Sequence, residues 1–154
     1  MPAFVENGPD IPERLLQAHE DGEVVFFCGA GISVPAGLPM FGGLVEGIYN
    51  KLDSRPHGLE EPACVKEQYD LALGVLERRW PRAEVRKTLP ALLAPKWRRK
   101  HATSTHEALL QLATQPDDKV RLVTTNFDRI FERVIQRKKL GIPAFAAPML
   151  PVPK

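Results

Sequence analysis

The chain has 154 residues, 44% hydrophobic and 26% charged, which is the length and balance of one ordinary globular domain with a single core. With 21 Lys and Arg against 19 Asp and Glu, the formal charge of +2 excludes any argument for nucleic-acid or membrane binding from total charge. Cys28 and Cys64 are the only thiols and show no CxxC spacing, so this chain alone cannot build a four-cysteine zinc site. There is no apolar run of bilayer-spanning length and no signal-peptide pattern at the amino terminus, so the expected location is cytoplasmic, with no membrane partner.

In chain order, Ile11 to His19 reads as a short amphipathic helix, with Asp10 as a candidate cap and Pro12 at a first helical position. Asp21-Gly22 turns the chain into an apolar strand at Val24 to Phe27, and Cys28, inside that apolar strand, reads as a small core residue rather than a nucleophile. Gly29-Ala30-Gly31-Ile32-Ser33 follows directly. Glycines at the carboxyl end of a buried strand let backbone N–H groups approach a ligand, and a helix starting there would add partial positive charge. That pattern suits the pyrophosphate of a dinucleotide; a tight strand-to-helix turn is the plain alternative. Pro35 to Pro39 should form an ordered loop that walls a pocket, and Leu44, Val45, Ile48, Tyr49 and Leu52 follow at helical spacing.

Asp53 to Pro62 reads as an exposed connection. Val65, Tyr69, Leu73 and Leu76 place one helix over Ala63 to Trp80, and another runs from Arg82 to Leu93, interrupted by Pro90. Residues 55–100 therefore read as a helical insertion. Between Arg78 and Lys100 nine basic residues face one acid, Glu84, either as a solvated helical face or as a surface for a nucleotide, an acidic partner or nucleic acid. No specific nucleic-acid signal accompanies it.

Thr103 to Leu112 opens with capping residues and continues with strong helix formers. Val120 to Thr125 is β-branched and short, a second strand, and Ile130, Phe131, Val134 and Ile135 mark a helix ending near Gly141. This succession is that of an α/β sheet wound with helices, in which ligands bind beyond the carboxyl ends of the strands. Thr124-Thr125-Asn126-Phe127-Asp128 occupies such an end, as Gly29 to Ser33 does. Asn126 and Asp128 either serve a site there or cap the following helix.

These segments together resemble the sirtuin superfamily: Gly29-Ala30-Gly31-Ile32-Ser33, then Ala36-Gly37-Leu38-Pro39, then Thr124-Thr125-Asn126-Phe127-Asp128, with Thr105-His106-Glu107-Ala108-Leu109 similar to the family's HxAL segment. The resemblance spans residues 22–137. Met40 and Gly42 stand where sirtuin deacylases carry Asp and Arg, Thr125 stands where they carry Gln, and their cysteine zinc module is absent. All three departures resemble the branch of bacterial antiphage defence proteins that hydrolyse NAD to nicotinamide and ADP-ribose.

The resemblance implies a Rossmann-like parallel sheet and a single NAD-binding domain over residues 1–154. It implies Asn126 as the catalytic residue, orienting water or the ribose hydroxyls. Gly29, Ala30, Gly31, Ser33, Gly37, Thr125, Asn126 and Asp128 would contact NAD, Asp128 through the nicotinamide carboxamide. It implies no metal and no zinc. By family, the partners are NAD and either a second copy or a second defence protein. The family's later His-Gly motif has no counterpart after Asn126, so the chain is expected to be an amino-terminal part of such a domain, weak or inactive in isolation. A non-catalytic NAD or ADP-ribose binding or assembly module is the alternative, and an NAD-dependent deacylase a third reading.

Overall fold

Phe26–Cys28 (β1) and Leu122–Thr124 (β2) pair in parallel, with Phe26 opposite Leu122, Phe27 opposite Val123 and Cys28 opposite Thr124. In this computed structural model, which describes residue 8 and residues 10–145, they are the two strands of one sheet, and helices dominate the rest. The fold is mixed α/β. The proline-rich segment 149–154 lies outside the described residues.

The chain divides into two compact units, one made of Met1–Cys28, His106–Thr124 and Arg129–Lys154, the other of Gly29–Thr105 and Thr125–Asp128. In the first, α1 (Glu13–Glu20) precedes β1, and α7 (Ile130–Lys138) follows β2; α6 (Ser104–Ala113) enters this unit at His106. Pro12 takes the N-cap of α1 with no side-chain hydrogen bond, so the expected Asp10 cap does not form. His19 at the end of α1 donates from Nε2 to the Leu112 carbonyl at 2.7 Å and meets Phe26 edge-on. His106 is buried against Phe131 at 4.7 Å between ring centroids, and Ile130 and Val134 of α7 are buried as well. Burial also pushes the Cys28 thiol up from its ordinary pKa, which suits a core residue rather than a thiolate nucleophile. One face of this sheet is not covered among the described residues: Phe27 is 72% and its register partner Val123 47% exposed.

The second unit holds α2 (Phe41–Lys51), α3 (Glu60–Val65), α4 (Tyr69–Arg79) and α5 (Arg82–Leu92). Leu44, Val45, Ile48 and Tyr49 form the buried stripe of α2, packed with Leu76 of α4 and Val85 of α5. Each such side chain contributes about 1.5–3 kcal/mol on leaving water. Gly42 and Gly47 allow this approach: a Cβ at Gly42 would stand 2.6 Å from the Tyr69 hydroxyl, and one at Gly47 2.8 Å from Leu92.

The single helix expected over residues 63–80 is two helices. Glu67 adopts a left-handed φ of 56°, and the chain reverses there before α4 begins. Part of the expected exposed connection is helical as well, because α3 starts at Glu60, whose carboxylate is fully buried. Arg79 explains that burial with a two-pronged pair, Nε to Oε1 and Nη2 to Oε2, both at 2.8 Å. The same Nη2 donates to the Arg55 carbonyl, and the His57 amide donates to Glu60, so one ion pair fastens the loop before α3 to α4. α5 continues through Pro90 to Leu92, so the expected interruption does not end the helix; Pro90 only lacks an amide to offer the Arg86 carbonyl.

Candidate functional site

The parallel register ends β1 and β2 at the same level, Cys28 opposite Thr124, and the chain then runs into Gly29 and Thr125. No α-helix starts at the glycine loop. Ala30–Ser33 is a single 3₁₀ turn and α2 begins only at Phe41, so the expected helix dipole at this loop is absent. Val34 to Gly37 instead fold the chain tightly back, with the Ser33 carbonyl accepting from the amides of Ala36 and Leu38.

This fold-back buries the Ser33 hydroxyl (1% exposed), which becomes the centre of a polar network. Ser33 Oγ donates to Asp128 Oδ2 at 2.7 Å and accepts from Asn126 Nδ2 at 3.1 Å. The three residues are 93 and 95 positions apart in sequence. The N-cap position of α7 falls on Arg129, with no side-chain hydrogen bond, while Asn126 and Asp128 turn to Ser33. Being buried and held from both sides, the serine hydroxyl is an organiser of the site and is poorly placed to act as a nucleophile.

A cavity of about 340 Å³ opens over this network. Ser33, Thr125, Asn126 and Asp128 are its polar lining; Ala30, Leu38, Pro39, Phe41, Leu44 and Leu93 supply apolar walls. Phe127, 80% exposed, also lines it. Five of the eight expected contact residues are thus assembled on one cavity. Gly29, Gly31 and Gly37 are not among its lining residues. Gly29 and Gly31 have open space where a Cβ would be, whereas Gly37, at φ 82°, lies against Lys96 and Arg99. Gly42, the departure from the deacylase pattern, is filled by Tyr69, which leaves no room for an arginine without displacing that ring.

Sequence reasoning missed Leu93 as a wall and Tyr69 as the occupant of the Gly42 position. Both come from the helical segment 55–100, and nothing local in their sequence points to the glycine loop. None of the four histidines of the chain lines the cavity. Among the described residues no group of three or more His, Cys, Asp or Glu is placed to hold a metal, and no helix is long and apolar enough to cross a membrane.

A protein of Sinorhizobium fredii described as uncharacterized protein y4cA is 38% identical to this chain over 128 residues, 82% of the chain and 10% of that protein. The chain therefore spans about a tenth of the length of this relative. No family model and no solved structure matches the chain.

Proposed function

We propose that the cavity binds NAD within a sirtuin-like, Rossmann-like fold, and that a protein carrying this fold hydrolyses the nicotinamide–ribose bond in antiviral defence. The observation that carries this reading is the Asn126–Ser33–Asp128 network, which joins the glycine loop to the asparagine loop around one cavity.

Breaking that bond develops positive charge on the ribose as neutral nicotinamide leaves, so the site must orient the ribose and a water molecule. Ser33 fixes the orientation of the Asn126 amide by accepting from its Nδ2, and an amide so held can orient ribose hydroxyls or water. Asp128, oriented by the same hydroxyl, takes the nicotinamide carboxamide, and Thr125 and Ala30 border the ribose. The backbone of Gly29 and Gly31 contacts the phosphates. At the low end of volumes for small-molecule sites, the cavity suits one nucleoside half of the dinucleotide.

Titration calorimetry with NAD and ADP-ribose tests the reading. Asn126→Ala and Ser33→Ala should each weaken binding about ten-fold, one charge-independent polar contact and its orientation being lost. Nicotinamide release by the chain alone should be weak or absent, and brisk turnover would refute that expectation; failure to bind either ligand would overturn the proposal. The lack of a histidine on the cavity favours a second reading, a module that senses NAD or ADP-ribose without cleaving it. Binding without turnover in a longer protein would select it.

A further inference from the structure

The segment Lys96-Trp97-Arg98-Arg99-Lys100 carries four cations in five residues. It forms a turn-rich loop after α5, not the helical face that its charge spacing allowed. Among the described residues none of the four forms an ion pair with a carboxylate, although pairs are made elsewhere by Arg79, Arg82, Lys87, Lys119, Arg121, Arg129, Arg137 and Lys138. Unbalanced charge at this density repels itself, and an anion would relieve it.

The loop is also pinned in place. The Lys96 amide donates to the Ala36 carbonyl at 2.7 Å. The Lys96 stem and the Arg99 guanidinium lie against Gly37, where a Cβ would come within 2.9 Å of Lys96 Cδ and 3.2 Å of Arg99 Cζ. Gly37 ends the tight turn that begins at Ser33, and Leu38, the next residue, is a wall of the cavity, as is Leu93 on the other side of the cationic loop. A guanidinium is thereby held one turn from the buried serine of the polar network.

We infer that Lys96 and Arg99 form an anion subsite over Gly37, one residue along the chain from the cavity wall Leu38, which takes the phosphates of a nucleoside diphosphate. The inference rests on the nucleotide reading above and extends it. The glycine loop contributes only backbone N–H groups without a helix behind them, so Lys96 and Arg99 supply the charge that this loop lacks. Arg99 suits a phosphate through its planar fork and Lys96 as a compact charge.

The test follows inorganic pyrophosphate and ADP-ribose binding by calorimetry, and by the backbone amide NMR signals of Ala36, Gly37 and Lys96, at low salt. Wild-type chain is compared with the double variant Lys96→Gln/Arg99→Gln, which retains much of the stems against Gly37, and with Lys96→Arg/Arg99→Lys, which retains the charge. Equal thermal midpoints establish that all three are folded. The expected result is pyrophosphate perturbing those amides, lost in the Gln variant and kept in the charge-preserving one, with ADP-ribose affinity falling about ten-fold or more in the Gln variant. Unchanged ADP-ribose affinity in the Gln variant would overturn the subsite and leave the nucleotide reading standing. Pyrophosphate binding without ADP-ribose binding would keep an anion site and remove the nucleotide from it. No perturbation by pyrophosphate, or its displacement by a single-stranded oligonucleotide at lower concentration than ADP-ribose, would overturn the inference.

Discussion

Ser33 shows how much one hydroxyl organises here: it takes a hydrogen bond from Asn126 and gives one to Asp128 while almost wholly out of contact with water. The glycines around it divide into two kinds. Gly37 sits at φ 82° with Lys96 and Arg99 against it, so alanine there meets both backbone strain and crowding. Gly37→Ala should lower stability by about 1–2 kcal/mol, read as a shift in the urea midpoint at constant slope. Gly31 has open space at its Cβ position and no left-handed φ. Gly31→Ala should leave the urea midpoint within about 0.5 kcal/mol of wild type. If its backbone approaches phosphate closely, the same variant weakens ADP-ribose binding, and unchanged affinity would remove Gly31 from the site.

Among the elements, α3 and α4 depend on the Glu60–Arg79 pair. Arg79 and the His57 amide hold the Glu60 carboxyl below the usual carboxylate range, against the opposing effect of burial. A folded pKa below the unfolded value stabilises the fold above the ordinary glutamate range. That stabilisation is lost as pH falls from about 4.3 through the depressed value. Arg79→Met removes the partner of a buried charge and should cost about 3 kcal/mol near neutral pH. Acid titration of stability should then show a flatter slope below pH 4 in Glu60→Gln than in wild type. Equal slopes would show that other carboxylates govern acid unfolding. The Tyr49 hydroxyl is pushed up by burial first and by Glu60 next, so it stays protonated across this range. Sequence periodicity found the apolar stripe of α2 and the extent of α5. It ran α3 and α4 together because Leu73 and Leu76 continue the spacing of Val65 and Tyr69, and nothing in that spacing marks a left-handed Glu67.

For the molecule as a whole, a parallel pair of three-residue strands with Phe27 and Val123 exposed on one face is an unusual end state, since parallel sheets are normally covered on both faces. Exposed apolar strands promote association between chains. Replacing both Phe27 and Val123 by Thr should raise the concentration at which light scattering of the isolated chain begins, with helix content unchanged. Scattering onset at the same concentration would show that this face does not drive association. Much of the architecture was legible without coordinates: the two strands, the loops at their carboxyl ends, and most helices follow from apolar period, turn residues and capping chemistry, all of which act within a few residues. What only the tertiary structure decided is who meets whom. Asn126 and Asp128 meet Ser33 across more than 90 residues, Arg79 neutralises a carboxylate that the sequence left exposed, and Gly37 lies beneath two cations instead of on the cavity. Such contacts depend on where distant segments are brought by packing, and no local pattern encodes them.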